Sequence, residues 1–157
     1  MSDVSDRKHT RRVVSTFCGT SDLHIGDDQH SLMTTPFFSR VSILRAALRK
    51  ISPDPRLIEA GLRAAKITTV DAIFVSHSHH DHVMDAALTA KKCGSQLYGS
   101  SSALNVGSGG GLSRPKLHPI EPNMVISVGD FRIAVRQSDS ATPASCGIIA
   151  APPQRPI

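Results

Sequence analysis

Residues 77 to 82 read His77-Ser78-His79-His80-Asp81-His82 and follow the apolar run Ala72-Ile73-Phe74-Val75. Imidazole nitrogens and a carboxylate within six residues are the donors that zinc and similar divalent ions take. The spacing carries as much as the composition. His77 and His79 are two apart and can converge on one ion from a turn, while Asp81 and His82 can face a second ion nearby. Two adjacent ions can share a water, lower its pKa to about 7 and hold it as a hydroxide nucleophile. The plainer reading is a solvated cluster or a tag. The cluster is internal, interrupted by Ser78 and Asp81, and placed at a strand end, which favours metal binding.

The elements that must hold these side chains can be read on either side. Asp71 to Ser76 predicts a buried strand from its continuous apolar run. His82 to Lys92 predicts a helix with Val83, Ala86, Ala87 and Ala90 available for packing, ended by Gly94. Ser95 to Tyr98 predicts a following strand, which puts the histidines on the first loop of a strand–helix–strand unit. Ligand sites commonly sit at such carboxyl strand ends. Asp54-Pro55 reads as an N-cap with Pro at the first helical position, opening a helix to Lys66 with Ile58, Leu62 and Ala65 on one face and weakened by Gly61.

Elsewhere, Arg12 to Phe17 reads as a first strand, with Ser31 to Thr35 as its neighbour across a polar connection at Gly26-Asp27-Asp28. Ser42 to Lys50 reads as a short helix. Ser108-Gly109-Gly110-Gly111 reads as a flexible loop rather than a phosphate cradle, since no Lys-Ser or Lys-Thr follows it. Leu117 to Ile120, Met124 to Val128 and Phe131 to Val135 read as short strands, the last two joined by a turn at Val128-Gly129-Asp130. Residues 1–12 and the Pro/Ala-rich stretch 141–157 read as disordered, leaving a partial domain over 13–140.

With the motif in this context the sequence resembles the metallo-β-lactamase superfamily, whose His-x-His-x-Asp-His pattern here is His77, His79, Asp81 and His82. Pro36-Phe37-Phe38-Ser39-Arg40 and Tyr98-Gly99-Ser100-Ser101-Ser102-Ala103 resemble motifs of its lactonase-like and phospholipase D-like members. The resemblance runs from about Val13 to about Val135, and only the histidine motif in it is specific. It implies an α/β (α+β) fold, the αββα sandwich of that family, with the first half and the beginning of the second present here. It implies Zn2+ as cofactor, two ions per complete site, or another divalent ion such as Mn2+. His77 and His79 would bind the first ion, and Asp81 and His82 the second. Asp81 is also the catalytic candidate, and His80 fills an x position. The implied activity is a metal-dependent hydrolase in which a metal-bound hydroxide attacks a small-molecule ester, lactone or phosphodiester.

The pattern then departs from the family. A third His is expected after Asp130-Phe131-Arg132-Ile133-Ala134-Val135, where Ser140 stands instead, and no His follows His118. A bridging Asp and a final His have no candidates before Ile157, and Asp139 does not match the position of either. Thr34-Thr35-Pro36 replaces an Asp before Pro. The motif alone gives two ligands per ion, against four for structural zinc and three plus water for catalytic zinc. A truncated, inactive remnant with weak metal binding is therefore the alternative.

The chain has 157 residues, enough for one ordinary domain. Only 4% of it is aromatic, so the core must rest on Val, Ile, Leu and Ala. A net charge of +5 admits acidic partners, but the basic residues are scattered and lack the interleaved aromatics that stack bases. A basic nucleic-acid-binding module is the weaker reading. Cys18, Cys93 and Cys146 are odd in number and widely spaced, which favours reduced thiols and a cytoplasmic setting. No window reaches the apolar length of a membrane span or a signal peptide. An incomplete sandwich would leave an open edge that an oligomer could cover.

Overall fold

The computed structural model describes residues 12–19, 22–39 and 52–137, together with the strand at 146–151. Six strands form one sheet in the order of the chain: β1 (Val14–Gly19), β2 (Asp22–Gly26), β3 (Ser31–Thr34), β4 (Ala72–Val75), β5 (Gln96–Gly99) and β6 (Leu117–Pro119). The first three strands form an antiparallel meander, and β3 to β6 run parallel. Parallel neighbours need crossovers. Two short helices, α2 (His80–Val83) and α3 (Ala86–Cys93), carry the chain from β4 to β5. A third, α4 (Ser101–Gly109), carries it from β5 to β6, and α1 (Pro55–Ala64) precedes β4. A second, antiparallel sheet contains β7 (Val125–Val128), β8 (Phe131–Gln137) and β9 (Cys146–Ala151).

Strand β4 explains the layering. All four of its residues are buried, and alternate side chains enter different cores. Ile73 and Val75 join Met33, Leu97, Ile58, Leu62 and Ala90 on the helical side. Ala72 and Phe74 join Leu32, Val128, Phe131 and Ile133 between the two sheets. The order of layers is helices, sheet, sheet, as expected for the first part of an αββα sandwich. Being apolar on both faces is what a central parallel strand requires, and it is why this stretch reads as an unbroken run. At the margins Phe17 is 67% exposed and Val125 54% exposed, so apolar surface lies open on an outer strand of each sheet.

Helix α1 begins as its sequence dictates. Asp54 Oδ1 accepts from the Arg56 amide at 2.9 Å and Pro55 occupies the first turn, while Ile58 and Leu62 are buried. Gly61 has a packing role beyond its poor helix propensity. A Cβ at this position would lie 2.2 Å from Cδ1 of Phe38, so its absence lets that ring seat on the helix.

Several sequence expectations change. The neighbour of β1 is β2, not Ser31–Thr35, because Asp22–Gly26 forms a strand between them and β3 pairs with β2. The single helix expected from His82 to Lys92 is two helices, broken at Met84 and Asp85, and the first starts at His80. Its expected end holds, since Gly94 caps α3 with φ 77°. Ser108 and Gly109 are the last residues of α4 rather than loop. Gly110 there packs against Ala87, and Gly107 against Leu97 and Leu117. Part of the stretch read as disordered is β9, which pairs with β8 from Arg132↔Ala151 to Gln137↔Cys146. Its Pro/Ala-rich flanks hid a run, Cys146-Gly147-Ile148-Ile149-Ala150-Ala151, that a partner strand stabilises. The helix expected at Ser42–Lys50 and the Ser140 position lie outside the described residues.

Candidate metal centre

The histidines follow one another directly after the carboxyl end of β4. Ser76 and His77 follow the strand, His79 is the N-cap residue of α2, and Asp81 and His82 lie within that helix. The α2 turn is closed by the bonds His82 N to His79 O (2.9 Å) and Val83 N to His79 O (3.0 Å). This turn folds His82 back over His77.

The imidazole centroids of His77 and His82 are 3.7 Å apart, and the rings are tilted by 45°. His79 meets His77 edge-on at 4.8 Å. Asp81 Oδ2 is 3.6 Å from His82 Nε2. All four expected ligands are thus gathered, and His77 is the residue the other two rings share. His80 meets the ring of Phe37 edge-on at 6.5 Å.

Second contacts orient the rings. Ser76 Oγ lies 3.1 Å from His77 Nδ1, which occupies that nitrogen and leaves Nε2 for a ligand. His82 Nδ1 is buried with no hydrogen-bond partner among the described residues. A buried imidazole nitrogen without a partner is costly unless a ligand or water satisfies it. Burial lowers the pKa of His77, and His79 adds to this, against an opposing pull from Asp81. Burial also lowers that of His82, with further lowering by His77. Both rings are held toward the neutral form, which is the form a metal ion binds.

The donor types suit a divalent ion, but the arrangement does not close around one. Among the described residues no group of three or more His, Cys, Asp or Glu side chains is placed to hold a metal ion.

Two residues that motif reading passed over shape the site. Ser76 was visible only as the end of a strand. Asp85 stood in the sequence as part of a helix start, yet it is fully buried and its Oδ2 accepts from the amides of Phe38 and Ser39, each at 2.7 Å. Burial raises its pKa, and the bonds from Ser39 and Phe38 oppose that rise. In a continuous helix Asp85 would fall opposite the face of Val83, Ala86, Ala87 and Ala90, so periodicity gave no signal for its burial.

Neither Cys18 nor Cys93 is in a disulfide. No described helix is long and apolar enough to cross a membrane.

A sequence model of the metallo-beta-lactamase superfamily matches residues 38–149. A UPF0173 metal-dependent hydrolase of Anaeromyxobacter dehalogenans is 50% identical over 44 residues, which are 28% of this chain and 16% of that protein. Among solved structures, Igni18, a metallo hydrolase from the archaeon Ignicoccus hospitalis, aligns with TM-score 0.56 and 14% identity over 89% of this chain and 56% of its own. CmlA, a diiron beta-hydroxylase from Streptomyces venezuelae, aligns with TM-score 0.63 and 12% identity over 92% of this chain and 28% of its own. The metallo-beta-lactamase SMB-1 aligns with TM-score 0.60 and 12% identity, covering 87% and 59%. The chain therefore spans less than two thirds of the length of each of these relatives.

Proposed function

This chain belongs to the metallo-beta-lactamase superfamily, and from that premise we propose that its histidine cluster is one side of a metal-dependent hydrolase centre acting on an ester, lactone or phosphodiester. The observation that carries the reading is the gathering of His79 and His82 against the His77 ring, with Asp81 beside His82, at the carboxyl end of β4. A structural role alone does not account for it. Three imidazoles in contact repel when charged, and His82 Nδ1 is buried without a partner. Ion binding would relieve both penalties.

The chain's own contribution is orientation. Ser76 fixes the His77 ring, and the α2 turn sets His82 and Asp81 beside it. The remaining donors would come from outside the described residues. Imidazole and carboxylate donors suit zinc or another divalent metal, and one structural relative is a diiron protein.

The absence of a convergent triad among the described residues favours a second reading, that of a chain which alone binds metal weakly and turns over no substrate. Metal content by mass spectrometry, with His79→Ala beside the wild type, separates the two. About one ion or more per chain, lost in the variant, supports a working centre on the usual ligand count for zinc. A panel of p-nitrophenyl esters, lactones and bis-p-nitrophenyl phosphate then sorts the substrate class. Wild-type protein with less than about a tenth of an ion per chain, well short of any stoichiometric zinc site, would sink the hydrolase reading.

A further inference from the structure

Asp85 is three residues past His82, fully buried, at the break between α2 and α3. Its Oδ2 accepts from the backbone amides of both Phe38 and Ser39 at 2.7 Å, a length typical of charge-assisted bonds. Its other oxygen, Oδ1, is buried with no hydrogen-bond partner among the described residues. Burying a carboxylate this way costs more than burying an apolar side chain of the same size. Fold stability alone therefore gives no reason for it.

What the bonds achieve is placement. The segment Pro36–Ser39 is held at its far end as well, because Ser39 Oγ accepts from the Asp54 amide at 2.7 Å at the start of α1. Phe38 seats on Gly61 of α1. The next ring, Phe37, is left to point at the histidine site and meets His80 edge-on at 6.5 Å. We propose that Asp85 is a positioning residue: its carboxylate clamps the amides of Phe38 and Ser39 and so sets Phe37 as an apolar wall beside His80. The wall favours substrates that present an apolar group on this side of the site. That consequence rests on the hydrolase reading, whereas the clamp is a property of the metal-free chain.

The test is nuclear magnetic resonance of the metal-free full chain, comparing wild type with Asp85→Asn, Asp85→Glu and Phe37→Ala. Phe37→Ala gives the His80 ring signal without the wall. In Asp85→Asn, amide exchange at Phe38 and Ser39 is expected to rise about tenfold or more, as for a local opening, while β4 and β5 stay protected. The His80 signal is expected to move toward its Phe37→Ala position. Asp85→Glu keeps the charge but shifts the acceptor by one methylene, and it is expected to displace the same signal even if Asp85→Asn does not fold. A folded Asp85 variant with His80 at its wild-type position overturns the proposal, and so does Phe37→Ala leaving His80 unmoved. Wild-type protein that binds no Zn2+ but shows these shifts sinks the metal reading and supports the clamp. Protein that binds Zn2+ while the Asp85 variants leave His80 in place does the reverse.

Discussion

The rings of His77 and His82 sit 3.7 Å apart although they are five positions apart along the chain, because α2 begins at once after His79 and turns the second ring back onto the first. Two such rings cannot both carry a proton cheaply. Replacing His82 by Ala is expected to lower Zn2+ affinity at least about tenfold, the scale on which even outer-sphere partners of a metal site act. Titration calorimetry with Zn2+ measures it. Equal affinity in the variant would mean that the ring contact is only packing.

Stability should depend on pH with a definite sign. The pKa values of His24, His77 and His82 all lie below the ordinary value of 6.5, each first through burial. As pH falls through 6.5, the unfolded chain takes up protons that the folded chain refuses. Stability is therefore full above that point, declines as pH drops below it, and levels off once the folded-state values are passed. Thermal melts of metal-free protein from pH 7.5 to pH 5 are expected to show a falling midpoint, with a shallower fall in His24→Gln. A midpoint that rises on acidification contradicts this account.

Cys18 should be a slow thiol. Burial first, then the neighbouring Asp22, raise its pKa from 9.0 to about 11. Two pKa units reduce the thiolate fraction about a hundredfold at pH 8, and thiolate is the reacting form. Peptide mapping after timed iodoacetamide treatment is expected to show Cys18 lagging an unfolded control by about that factor. Labelling at the control rate would show that the β1–β2 hairpin opens readily.

Gly61→Ala separates local propensity from packing. Alanine in place of glycine gains about 1 kcal/mol in a helix interior. Here the added methyl would lie 2.2 Å from Cδ1 of Phe38, and overpacking of this kind costs about 1–3 kcal/mol. Net destabilisation in urea melts is expected, together with displacement of the Phe38 ring. A stabilised variant would show that the ring moves aside freely.

Asp54→Ala tests the cap of the same helix. Losing the bond to the Arg56 amide should cost about 1 kcal/mol, the usual worth of an N-cap. The Asp54 amide still reaches Ser39 Oγ in the variant, so the loop is expected to hold while α1 frays. Circular dichroism with urea melts reads both the size and the helical loss.

Much of this fold was legible in short stretches. β4 showed itself as a continuous apolar run because it is buried on both faces. Helix α1 showed itself through Asp54, Pro55 and the spacing of Ile58 and Leu62. Features that depend on distant partners were not legible. Strand β2, with His24 and Asp22 among few apolar residues, holds its shape by pairing on both sides. Strand β9 exists because β8 offers it an edge. The α2–α3 break occurs at Asp85, whose carboxylate faces a loop met nearly fifty residues earlier.

By itself, the sequence determined a cluster of imidazoles with one carboxylate, their spacing, and the buried strand before them. Ligand chemistry and local hydrogen bonding are written in adjacent residues. Only the tertiary structure decided that His82 rather than His79 lies closest to His77, that no three donors converge among the described residues, and that Asp85 holds Phe38 and Ser39. Those outcomes depend on how a turn closes and on contacts between residues 46 and 47 positions apart, which no local pattern encodes.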